Sequence, residues 1–118
     1  VGQGTLAAVK AAGGDSNAIV WVDADGYLTT GKDGGAPYML TSVIKEIGTA
    51  VYDTVDEVQR GAFSATPYVG TLGNQGVALA PYHDWDSKVS PELKTKIDEL
   101  KKQIVDGTLD VSTAYDPS

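Results

Sequence analysis

Residues 18–23 read Ala-Ile-Val-Trp-Val-Asp, a short continuous apolar run closed by an acid. Such a run is too short for a buried helix. It is what a strand needs when it lies inside a parallel sheet covered on both faces. Helical patterns flank it. Thr5 to Ala12 is rich in helix formers, with Leu6 and Val9 one turn apart, Thr5 able to cap its start and Gly13-Gly14 ending it. Strand and helix in alternation predict an α/β fold with a parallel sheet flanked by helices.

Further along, Asp25-Gly26 reads as a turn and 29–37 as a loop without periodicity. Ile44, Ile47, Val51, Val55 and Val58 recur at helical spacing, which predicts a helix over 42–60 with Thr41 or Ser42 as cap and Gly61 beyond its last turn. Pro67–Leu72 and Val77–Pro81 predict two short strands around a Gly-Asn-Gln-Gly turn, and 82–89 a polar loop. Ser90 then Pro91 open a helix whose stripe of Leu93, Ile97, Leu100 and Ile104 is expected to be buried, closed by Gly107. Glu92 with Lys96, and Asp98 with Lys102, are spaced for i,i+4 pairing. Residues 108–118 read as a strand or extended arm and a tail.

The 118 residues carry 9 basic and 16 acidic side chains, a net charge of −7. An acidic surface repels phosphate backbones, so nucleic acid is not an expected partner. With no Cys there is no disulfide, thiolate zinc site or cysteine nucleophile, and one His leaves little imidazole chemistry. No nucleophile–base pair is evident, so the reading is a non-enzyme. The chain begins at Val1 and starts abruptly with Gly2-Gln3-Gly4-Thr5, which reads as a piece of a longer chain.

Three small constellations carry possible chemistry. Gly2-x-Gly4-x-x-Ala7 matches a dinucleotide fingerprint, with Asp23 at a distance suited to a ribose-binding acid. That supports an NAD(P)-binding oxidoreductase fragment. The same residues also suit a plain strand–helix turn, or a glycine loop and strand-end acid that receive a free sugar or nucleoside. Asp23-Ala24-Asp25-Gly26 resembles the start of a calcium loop, but Tyr27 and Gly34 stand where ligands are needed. His83, Asp84 and Asp86 could offer metal ligands, yet a lone His among acids on a polar loop is ordinarily solvated. No metal or cofactor is expected. Lys45 lies among Val43, Ile44 and Ile47 near an expected helix start, where the dipole disfavours a cation. A snorkelling stem explains it, and so does an anionic or hydroxyl-rich group held there.

Several segments together resemble one family. Leu40-Thr41-Ser42-Val43-Ile44-Lys45 followed by Ala50-Val51-Tyr52-Asp53, then Gly76-Val77-Ala78-Leu79-Ala80-Pro81-Tyr82-His83, then Ser90-Pro91-Glu92-Leu93-Lys94 through Gly107, are similar in order and spacing to segments of the basic membrane protein family. Ile19–Asp25 and Gly2–Thr5 resemble its strand with two acids and its glycine loop. Gln3, Leu6 and Trp21 depart from glycines usual there. These proteins are substrate-binding lipoproteins of nucleoside ABC transporters. The resemblance implies the C-terminal portion of a type I periplasmic-binding-protein fold, with Rossmann-like lobes about a ligand cleft. It implies a ligand-binding lobe segment over 1–41, a hinge and helix crossing toward the first lobe over 42–66, and closing strands, helix and tail over 67–118. It implies ribose contacts from Asp23 and Lys45, with Gly2 and Gly4 lining the cleft. The implied ligand is a purine nucleoside. The implied partners are an ABC permease and the N-terminal remainder of the same protein, in a lipid-anchored, extracytoplasmic setting.

Overall fold

A computed structural model describes residues 2–13 and 16–111. It divides into two compact units, Val1–Ser87 and Lys88–Ser118. The first contains α1 (Gly2–Ala12), β1 (Ile19–Asp23), α2 (Gly26–Thr29), β2 (Met39–Lys45), α3 (Ile47–Gln59) and β3 (Val77–Leu79). The second contains α4 (Pro91–Val105). No helix among the described residues is long and apolar enough to cross a membrane.

The apolar run forms β1 as expected. It pairs in parallel with β2, Val20 against Thr41 through Asp23 against Ile44. β2 pairs antiparallel with β3, giving the order β1-β2-β3. Leu6, Ile19 and Met39 are the buried centre, with Val9, Trp21, Tyr27 and Tyr38 packed around them. Ile19 and Trp21 thus serve the covered face, as alternation along a strand requires. Val20 and Val22 on the opposite face are more than half exposed, so the two-sided cover expected of such a run is one-sided among the described residues.

Helix α1 begins at Gly2 rather than at Thr5, so Thr5 is inside it and is not its cap. Any side chain at Gly2 would collide with the Trp21 indole. Glycine there lets the first turn of α1 lie against β1.

The largest departure from expectation is at 42–45, the expected start of the helix over 42–60. These residues belong to the segment 39–45. This segment is a strand, and the helix starts only at Ile47. Thr41, Val43 and Ile44 are β-branched and favour the pleated conformation. The two hydroxyls expected to cap a helix are spent on partners distant in sequence. Thr41 Oγ1 donates to the Ala80 carbonyl at 2.7 Å, and Ser42 Oγ accepts from Gly26 N at 2.9 Å, both buried. Glu46 takes the cap position of α3 without a side-chain bond. Ile44 therefore leaves the helical stripe, while Ile47, Val51, Val55 and Val58 stay on α3 and are exposed.

The hairpin expected over 67–81 does not form. Only Val77–Leu79 is a strand, and its partner is β2. Residues 67–72 are held by Asn74, whose Oδ1 accepts from Thr71 N at 2.7 Å and Gly76 N at 3.0 Å while its amide donates to Val69 O at 2.9 Å. The expected loop over 29–37 contains the end of α2 and 3-10 turns at Gly31–Asp33 and Ala36–Tyr38, and His83–Lys88 is also a 3-10 turn.

In the second unit α4 starts and ends as expected, but its stripe is not buried: Leu93 and Leu100 are exposed, and Ile97 and Ile104 are only half-buried. Ser90 Oγ accepts from Leu93 N at 3.2 Å, Pro91 opens the helix, and Gly107 beyond it has φ +71°. Its ion pairs differ from the expected ones: Lys96 meets Glu99, Lys101 meets Asp98 and Lys102 meets Asp106. Glu92 is engaged at the helix start, where its own backbone N–H and the Ser90 hydroxyl hold its carboxyl below the usual range. Residues 108–111 are not a strand. The rest of the expected arm, 112–118, lies outside the described residues.

Candidate functional site

Parallel pairing brings the ends of β1 and β2 to the same edge of the sheet. Asp23 is the last residue of one and Lys45 the last of the other. Their side chains meet, Lys45 Nζ to Asp23 Oδ1 at 2.7 Å. The two residues that the resemblance implies as ribose contacts are therefore one charged pair. At 61% and 64% side-chain exposure the pair is solvated and contributes little to stability. Asp23 also has φ +74°, a backbone conformation that an ordinary side chain adopts at a cost. An exposed pair on a strained residue, at the carboxyl edge of parallel strands, is an arrangement suited to a ligand rather than to the fold.

The pair can offer both hydrogen-bonding senses. A carboxylate accepts at two oxygens and an ammonium donates three ways. Vicinal hydroxyls, which both donate and accept, complement this. Beside Lys45 lies a concavity of about 280 Å³, lined also by Glu46, Ile47, Ala50, Tyr68 and Val77. A larger crevice of about 730 Å³ runs between α3 and residues 63–69, bordered by Asp53, Glu57, Arg60 and Phe63. In it the Tyr68 phenol is pushed above its ordinary value, by burial first and then by the charge of Asp53.

Gly2 and Gly4 do not form the expected glycine loop. Both are helical, in the first turn of α1. Gly2 faces Trp21, whereas a side chain at Gly4 would meet nothing within 4 Å. The glycine pattern has a packing explanation at Gly2.

A second cluster joins distant parts of the chain. Asp25 caps α2, its Oδ1 accepting from Tyr27 N at 3.0 Å. Its Oδ2 lies 2.8 Å from His83 Nε2, a residue 58 positions later. A carboxylate only accepts, so Nε2 carries the hydrogen. The His83 ring stacks on Tyr27 with centroids 4.1 Å apart, and the Tyr27 hydroxyl donates to Asp84 at 3.2 Å. The charge of Asp84 and that hydrogen bond push the Tyr27 phenol above its ordinary value. Trp85 Nε1 donates to Pro37 O at 2.8 Å. Among the described residues no group of three His, Asp or Glu side chains is placed to hold a metal ion. His83 and Asp84 instead face Asp25 and Tyr27. Nothing in the local sequence couples residues 25 and 83.

No family model matches the chain. It is 34% identical over 121 aligned residues to the ABC transporter nucleoside-binding protein BmpA of Lactococcus lactis subsp. cremoris (strain MG1363), an alignment that covers 94% of this chain and 33% of that protein. The chain thus spans about a third of the length of this curated relative.

Proposed function

We propose that this chain is part of a solute-binding protein of the basic membrane protein family, one that captures a nucleoside and delivers it to an ABC permease. The observation that carries the reading is the Asp23–Lys45 pair at the carboxyl edge of two parallel strands. In this reading Asp23 accepts from the ribose hydroxyls, and Lys45 donates to those hydroxyls and to the carboxylate. No bond is made or broken, so binding is the whole task of these residues. Gly4, with open space beside it, leaves the first turn of α1 accessible, and it belongs to the proposed site on the resemblance alone. The rest of the cleft, including the contacts to a purine base, belongs to the N-terminal remainder of the protein, toward which 42–66 crosses. The whole protein is extracytoplasmic and lipid-anchored in this reading.

The alternative, a fragment of an NAD(P)-binding oxidoreductase, drew its support from the glycine pattern at 2–7 and from Asp23. With Gly2 and Gly4 helical and Gly2 packed on Trp21, the glycines no longer support it, and Asp23 at the end of β1 suits either reading. Calorimetric titration of the full-length protein with inosine, guanosine, adenosine, uridine and NAD tests the choice. Tight binding of one or more nucleosides and none of NAD is expected. Binding of NAD alone would overturn the proposal.

A further inference from the structure

We propose that His83 is a positioning residue for the Asp23–Lys45 pair, acting through Asp25. This inference rests on the solute-binding reading above.

A non-glycine residue at positive φ persists only when its surroundings over-determine it. Asp23, at φ +74°, therefore has to be held from its neighbours. The residues that follow show how. Gly26 N is bonded to buried Ser42 Oγ, inside β2. The Asp25 carbonyl accepts from both the amide and the hydroxyl of Thr29, each at 3.0 Å. The Asp25 carboxylate divides its two oxygens, one to Tyr27 N within its own turn and one to His83 Nε2. Of these bonds, the one to His83 alone ties the bend to a segment after β3.

The tie is well built. The His83 and Asp25 side chains are only 21% and 13% exposed, so water competes poorly for the bond. The ring is fixed by its stack on Tyr27, and Tyr27 is fixed in turn by Asp84. His83 itself sits at φ +46°, while Asp25, which it meets, has an ordinary φ of −64° and lies two positions after Asp23. Nε2 donates to Asp25 whether or not the ring is charged, so the role is geometric. Freeing that oxygen removes one of the restraints on residues 23–25. Asp23 can then leave positive φ and turn its carboxylate away from Lys45.

The test uses the full-length protein, a calorimetric titration with inosine, guanosine, adenosine and uridine, and a melting curve for each variant. His83→Phe keeps a flat ring against Tyr27 and removes the donor. It is expected to bind about tenfold more weakly, the order set by one hydrogen bond to a charged group, while melting within a few degrees of wild type. His83→Gln restores an N–H donor and is expected to recover most of the affinity. Wild-type affinity in His83→Phe overturns the proposal, as does a His83→Gln variant no better than His83→Phe. Should His83→Phe not fold, Asp25→Ser takes its place. It keeps a cap for α2 and removes the oxygen that His83 reaches, with the same loss expected and wild-type affinity overturning the proposal. If the wild-type protein binds none of the four nucleosides, the solute-binding reading fails. The positioning claim is then decided by the crystal structure of His83→Phe, or of Asp25→Ser in its place. Asp23 parted from Lys45 supports it, and an unchanged pair overturns it.

Discussion

Replacing Asp23 by glycine separates what the residue costs the fold from what it does for a ligand. Its φ of +74° is unfavourable for a side chain by about 1–2 kcal/mol, at the lower end for Asp. Glycine removes that cost but loses about 0.4–1 kcal/mol through a freer unfolded chain. The ion pair with Lys45, solvated on both sides and so screened, contributes about 0–1 kcal/mol. These effects nearly cancel, so Asp23→Gly is expected to unfold within about 1 kcal/mol of wild type. Asp23→Ala keeps the backbone cost and loses the pair, so it should be the less stable of the two by about 1 kcal/mol. Binding has no such cancellation. Either variant removes two charge-assisted hydrogen bonds to ribose, which is expected to cost at least about 2 kcal/mol, or about 30-fold in affinity. Urea denaturation and calorimetry on the full-length protein read the two effects separately. A loss of more than about 2 kcal/mol of stability in Asp23→Gly, or unchanged affinity in both variants, would refute the reasoning.

Lys45→Met keeps the apolar stem and removes the charge, so nucleoside affinity should fall while the melting temperature stays nearly constant; a large drop in stability at normal affinity would make Lys45 structural. The Tyr27 phenol is raised by Asp84, so its protonated form is favoured in the folded state. The stabilisation is therefore present below the ordinary tyrosine value of about 10 and is lost as pH rises through the raised one. Ultraviolet titration of Asp84→Asn should return Tyr27 toward its ordinary value, and no change would contradict the assigned cause. The exposed aliphatic face of α3, Ile47, Val51, Val55 and Val58, should make the isolated 118-residue polypeptide self-associate in sedimentation. A monodisperse, cooperatively melting monomer would contradict that expectation.

What was legible in the sequence was local. The run ending in Asp23 is a strand because Ile19 to Val22 has no other use for consecutive apolar side chains. The helix after Ser90-Pro91 is legible because capping chemistry lies within three residues. Residues 42–45 read as helix because Ile44 fits the helical stripe of α3, whereas the edges offered by β1 and β3 make the segment a strand. The hydroxyls of Thr41 and Ser42 look like caps in the sequence, but their partners, Ala80 and Gly26, are set by tertiary structure. The same holds for the site. Asp23 and Lys45 were each visible, and the strand register makes them a pair. His83 was visible only as a possible metal ligand or a solvated side chain, because its partner is 58 residues away.

The central claim, that the Asp23–Lys45 pair holds the hydroxyls of a ribose, is tested most directly by comparing inosine with 2′,3′-dideoxyinosine. Both are titrated into the full-length protein and into its Asp23→Ala variant. Wild type is expected to bind the dideoxy compound about 30-fold more weakly, and the variant to bind the two alike. Equal affinity of wild type for both compounds, with inosine bound, would contradict the assignment of Asp23 and Lys45 to the ribose.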